Sequence, residues 1–92
     1  MKWKLRPGQH LRMLAGDDES VIYNDHSGET HLLSGIAVSV LQLLEDGPQD
    51  LDGLSFKLAE DWEFESDAEL SRMTLQLTSD LNGLGLIETC LP

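Results

Sequence analysis

Between Glu19 and Glu45 the spacing of apolar positions changes period once, without a linker, in the run ESVIYNDHSGETHLLSGIAVSVLQLLE. Ser20 to Tyr23 is β-branched and aromatic and reads as a strand. Asn24-Asp25-His26-Ser27-Gly28 is turn chemistry, because Asn and Asp tolerate left-handed backbone and glycine adopts it without steric cost. Glu29 to Leu33 is then the return strand. Ser34 follows at once, with an oxygen able to cap the free N–H groups of a helix start. Ile36, Ala37, Val40, Leu41 and Leu44 recur at helical spacing, and Gly47-Pro48 stops the helix.

The same logic extends in both directions. Upstream, His10 to Ala15 predicts a first strand, and Gly16-Asp17-Asp18 turns it into the second, giving a β-meander. Met1 to Gly8 predicts a strand or arm laid over the core, with Trp3 packed and Pro7-Gly8 turning. Downstream, Asp50 caps a second helix with Leu51, Leu54 and Leu58 on one stripe, ending near Asp61. Trp62 and Phe64 close the lower side of the core. Ser66-x-x-Glu69 is a capping box, with Leu70, Met73, Leu77, Leu81 and Leu84 following on one face. Gly83 and Gly85 end this third helix, and Leu86 to Thr89 fits a last short strand. The expected architecture is an α+β domain over residues 1–92, a three-stranded antiparallel sheet followed by three helices (β-β-β-α-α-α). The second and third helices resemble a helix-turn-helix pair.

Charge narrows the function classes. The net charge is −11, yet Lys2, Lys4, Arg6 and Arg12 precede every acidic residue. From position 13 onward all 17 carboxylates face only Lys57 and Arg72, so 2 − 17 leaves −15. Such a field repels phosphate backbones and argues against a nucleic-acid ligand. No apolar run approaches the ~20 residues of a membrane span, and no signal peptide is visible. The single cysteine, Cys90, cannot close an internal disulfide, which fits a cytoplasmic setting.

Catalytic chemistry is sparse. His26 and His31 lie five apart across a turn, Cys90 is remote, and neither Cys-x-x-Cys nor His-x-x-x-His occurs, so no metal is expected. There is no Gly-x-Ser-x-Gly and no glycine-rich phosphate loop, and no cofactor is implied. Glu60, Asp61, Glu63 and Glu65 read as a solvated face. The sequence therefore offers no enzyme, and what remains is surface. On the third helix Ser71, Leu75, Thr78 and Asn82 form an uncharged stripe beside the core face, which either lines a groove or widens the core contact. The return strand, Glu29, Thr30, His31, Leu32 and Leu33, is last in the meander and so a candidate open edge. An extended peptide can add to such an edge as another strand. Alternatively, the N-terminal arm or a second copy of the chain covers it. If the edge is open, a proline at His31 is expected to block it.

Val21-Ile22-Tyr23-Asn24, Ser27 to Ser34, Ala37, Leu41 to Gly47, Leu81 and Leu84-Gly85-Leu86-Ile87 together resemble PqqD-type peptide chaperones, the recognition elements for precursors of ribosomally made, modified peptides. Trp3 and the Ser-Gly-Glu-Thr-His-Leu-Leu-Ser run look most like the branch found beside an HPr-kinase-related enzyme. The resemblance implies a winged-helix-like fold and a leader peptide added to the third strand of the meander and lying against the third helix. It places Glu29 to Leu33 on one side of the groove, and Ser71, Leu75 and Thr78 on the other with Arg72 at the rim. It also implies a partner modifying enzyme, and basic groups on the third helix that meet acidic leader residues; here that helix has only Arg72, so the leader differs or the basic N-terminal segment supplies the charge. Two other classes remain: a winged-helix DNA-binding regulator, which would need a basic recognition helix, and a structural docking subunit of an enzyme complex.

Overall fold

The computed structural model describes residues 1–90. In chain order it comprises β1 (Lys2–Leu5), β2 (Leu11–Ala15), β3 (Glu19–Asn24), β4 (Thr30–Ser34), α1 (Gly35–Glu45), α2 (Leu51–Asp61), α3 (Asp67–Gly83) and β5 (Ile87–Cys90). The fold is mixed α+β, as the sequence pattern predicts, but its strands form two sheets. β2, β3 and β4 make the antiparallel meander. β1 pairs antiparallel with β5, and Trp3 also exchanges backbone hydrogen bonds with Gln49. The N-terminal arm is thus a strand joined to the C-terminal segment, leaving β4 uncovered by it.

The helices begin where local chemistry dictates. Ser34, Asp50 and Ser66 each accept a hydrogen bond from the backbone N–H three residues on, at Ala37, Gly53 and Glu69. These caps satisfy donors that the first helical turn leaves orphaned. At Ser66 the box closes on the preceding residue, with Glu69 Oε2 accepting from the Glu65 N–H at 2.8 Å. Gly28 provides the positive φ of 77° that the β3–β4 turn requires.

The core gathers Trp3, Ile22 and Leu33 from the strands, five residues of α1, Leu54 and Leu58 of α2, Leu77 and Leu81 of α3, and Leu86 and Ile87. Each leucine, isoleucine or valine among them contributes on the order of 1.5–3 kcal/mol by leaving water. The α3 face differs from the leucine stripe. Thr74 and Thr78 are fully buried, whereas Met73 and Leu84 are more than a third exposed. A threonine can bury itself in a helix by returning its hydroxyl to the preceding turn. Thr74 Oγ1 donates to the Leu70 carbonyl, and Thr78 Oγ1 to those of Thr74 and Leu75. The buried face is therefore rotated toward the threonines. Trp62 also departs from expectation: it remains 39% exposed, while Phe64 packs against the core margin.

Candidate functional site

β4 is an edge. The sheet order is β2-β3-β4, and among the described residues no strand lies on the outer side of β4. Which backbone groups face outward follows from register. Asn24 donates its N–H to the Glu29 carbonyl across the turn, and pairing continues as Ile22 with His31 and Ser20 with Leu33. Antiparallel ladders alternate bonded and non-bonded pairs. The N–H and C=O groups of His31 and Leu33 therefore turn to β3, and those of Thr30, Leu32 and Ser34 point away from the sheet. This corrects the expected effect of a proline at His31, which would remove a bond internal to the sheet; the position that presents its N–H to an incoming strand is Leu32.

Side chains alternate as well. His31 and Leu33 face the helices; Thr30, Leu32 and Ser34 face solvent. Leu33 is core. Leu32 is 64% exposed and stands in register with Val21 and, beyond it, Leu14, so an apolar row crosses the outer sheet face. His31 is mostly buried. Its Nε2 lies 3.4 Å from Glu29 Oε2, but the contact is too poorly aligned to be a hydrogen bond, and this buried nitrogen has no hydrogen-bond partner.

The predicted residues of α3 are not all on a surface. Ser71, Arg72 and Leu75 are exposed, but Thr78 belongs to the core and cannot touch a ligand. At ~100° per residue, Ser71, Leu75 and Asn82 lie beyond Thr74, whose hydroxyl meets Ser55 of α2 at 3.1 Å. The opposite flank carries Met73, Asp80 and Leu84. Leu84, the C-cap that follows α3, shares a cavity of about 250 Å³ with Asn24, His26, Ser27 and Glu29, so the end of α3 lies beside the β3–β4 turn that leads into β4. Sequence reasoning missed Met73 and Leu84 as surface residues because it assigned every periodic hydrophobe to the core.

The wall of that cavity is built by Asn24, which is buried and fully engaged. Its Oδ1 accepts from the His26 N–H at 2.9 Å, and its Nδ2 donates to Gln9, whose own Nε2 donates to the Leu86 carbonyl. These bonds tie the β3–β4 turn to the residues that follow α3. Just outside, His10 Nδ1 donates to Asp25 at 2.9 Å and Arg12 Nε donates at 3.1 Å. Together they hold the Asp25 carboxyl below its ordinary range, the His10 hydrogen bond being the larger cause.

No helix among the described residues is long and apolar enough to cross a membrane. No family model and no curated protein matches the chain. Among solved structures, TbiB1, determined in complex with the TbiA(beta) leader peptide, is similar with a TM-score of 0.71 over 97% of this chain and 99% of that one. At 17% identity the two share a fold: three helices set on a small antiparallel meander.

Proposed function

We propose that this chain is a non-enzymatic adaptor that takes up the leader of a ribosomally made precursor peptide as an added strand on β4 and presents it to a modifying enzyme. The observation that carries the reading is the open edge: three residues of β4 offer backbone groups outward, and the chain's own N-terminal strand is bound elsewhere. Strand addition gives affinity through main-chain bonds and selectivity through side-chain pockets. TbiB1 supports it, as a protein of the same fold solved with a leader peptide. The resemblance to PqqD-type chaperones agrees, and on that resemblance the enzyme belongs to an HPr-kinase-related system.

In this reading the peptide lies between β4 and the Met73–Leu84 flank of α3. Outward-facing residues of the peptide extend the Leu14–Val21–Leu32 row, since cross-strand apolar pairs stabilise by about 0.2–1 kcal/mol each. Inward-facing residues pass the His31 side, where Glu29 remains exposed. The exposed residues Ser71, Leu75 and Arg72 lie on the far flank, where they suit a contact with the enzyme better than with the peptide. A DNA-binding role is disfavoured because α3 sets Arg72 alone against Asp67, Glu69 and Asp80.

The test is titration of labelled protein with peptides encoded by short reading frames beside its gene. Saturable binding near micromolar affinity, about −8 kcal/mol, with amide shifts at Thr30 to Ser34 and around Met73 and Leu84, is the expected result. Binding of a neighbouring enzyme with no response to any peptide would instead make the chain a docking subunit.

A further inference from the structure

The end of β4 remote from the Asn24 turn runs into a second concave surface. Ser34 passes directly into Gly35, and the ring of Trp62 rests there: a Cβ built on Gly35 would lie 3.2 Å from Trp62 Cη2. The indole is fixed, since its Nε1 donates to Ser39 Oγ at 3.2 Å and that hydroxyl donates to the Gly35 carbonyl. Trp62 leaves part of its surface open over a cavity of about 490 Å³, which has Ala59, Phe64 and Leu70 as its apolar part and Glu63, Glu65 and Asp67 on its rim.

The charge around this cavity is of one sign. Between Lys57 and Arg72 there are six carboxylates and no basic residue. Glu69 is engaged at the start of α3, and with Asp67 it offsets that helix's positive end. Glu63, Glu65 and Asp67 form no ion pair among the described residues. A rigid, half-open indole beside unpaired carboxylates suits a cation carried on an aliphatic stem: the ring attracts it through its quadrupole, the apolar part covers the stem, and the rim neutralises the charge. An anionic side chain is repelled here, and a purely apolar one would leave the carboxylates unanswered.

We propose that the Trp62 cavity receives a lysine or arginine side chain from the polypeptide strand that adds to β4, at the point where that strand runs past Ser34. The course of the ligand rests on the strand-addition reading; the chemistry of the cavity does not.

The probe is an acetylated, amidated hexalysine peptide titrated at about 0.15 M salt, where distant charges are screened. Saturable shifts at the Trp62 indole and at Glu63 to Asp67 are expected, with none from hexaglutamate. Glu63→Gln with Glu65→Gln is expected to weaken binding at least about tenfold, which is 1.4 kcal/mol. Asp17→Asn with Asp18→Asn, the same change in net charge, is expected to alter it less than about twofold, because screened distant charges contribute little. Trp62→Leu is expected to abolish the localised shifts. Equal losses from the two charge pairs, or unchanged binding in Trp62→Leu, would show a diffuse acidic surface and overturn the proposal. Leu32→Pro separates the two ideas: it is expected to spare hexalysine binding even where it abolishes strand addition.

Discussion

At the scale of single residues, the direction in which each backbone group or side chain points decides its role. Leu32 and His31 are adjacent on the edge strand, yet a proline should act oppositely at the two. At Leu32 the lost N–H faces outward, so Leu32→Pro is expected to reduce peptide affinity at least tenfold while changing stability by less than about 1 kcal/mol. At His31 the N–H bonds to β3, so His31→Pro is expected to destabilise the sheet by about 1–3 kcal/mol. Denaturant midpoints beside peptide titrations separate the two effects, and equal stability losses would refute the register argument. Thr78 offers a second contrast. Its hydroxyl bonds only to its own helix, so Thr78→Val should cost about 0.5–1.5 kcal/mol, the net worth of such a bond, whereas Thr78→Leu overpacks a closed site at about 1–3 kcal/mol. Neither change should alter a surface. Asp25 adds a pH dependence. Because its folded value is lowered, its contribution is present above the ordinary carboxylate range and is lost as pH falls through the lowered value. Acid unfolding of Asp25→Asn should therefore match wild type at the acid extreme, diverge from it as pH rises through the lowered value, and show the full difference above about pH 4.

Secondary-structure elements were legible where the determining chemistry is local. Ser34, Asp50 and Ser66 each mark a helix start by a bond spanning three residues, and a short window of sequence contains all of it. The same locality makes the elements separately testable. Ser66→Ala should cost about 1 kcal/mol, seen as a lower thermal midpoint, and Ser66→Asp should restore it; failure of Asp to rescue would mean the cap is not what starts α3. The buried face of α3 was not legible, because a periodicity count treats threonine as polar although it satisfies itself within the helix. The rotation that follows leaves Ser71 and Leu75 exposed on one flank and Met73 and Leu84 on the other, and the proposed groove uses the second. Pairing of β1 with β5 was illegible for another reason. Lys2 meets Cys90 across nearly the whole chain, and no local pattern encodes so distant a register.

At the scale of the molecule, charge and size act together. Lys4–Glu88, Arg12–Asp25, and the contacts of His10 with Asp25 and His31 with Glu29 are few favourable pairs beside an excess of eleven negative charges. Self-repulsion should therefore outweigh attraction. The molecule measures 37 × 37 × 21 Å, so its dimensions fall on either side of the relevant screening length. At about 0.01 M salt the Debye length is roughly 30 Å and carboxylates on opposite faces still repel; at about 0.15 M it is roughly 8 Å and only near neighbours interact. Raising salt over that range should raise the thermal midpoint, and the gain should shrink in a variant with several surface carboxylates replaced by their amides. Replacing Lys2 and Arg6 by glutamine should enlarge the gain, since it deepens the imbalance. A midpoint that falls with salt would mean the few ion pairs dominate and that the acidic surface is less repulsive than its count of charges implies. The same titration bears on binding: a ligand that neutralises this surface should stabilise the fold most at low salt, where relief of repulsion adds to the contacts it makes.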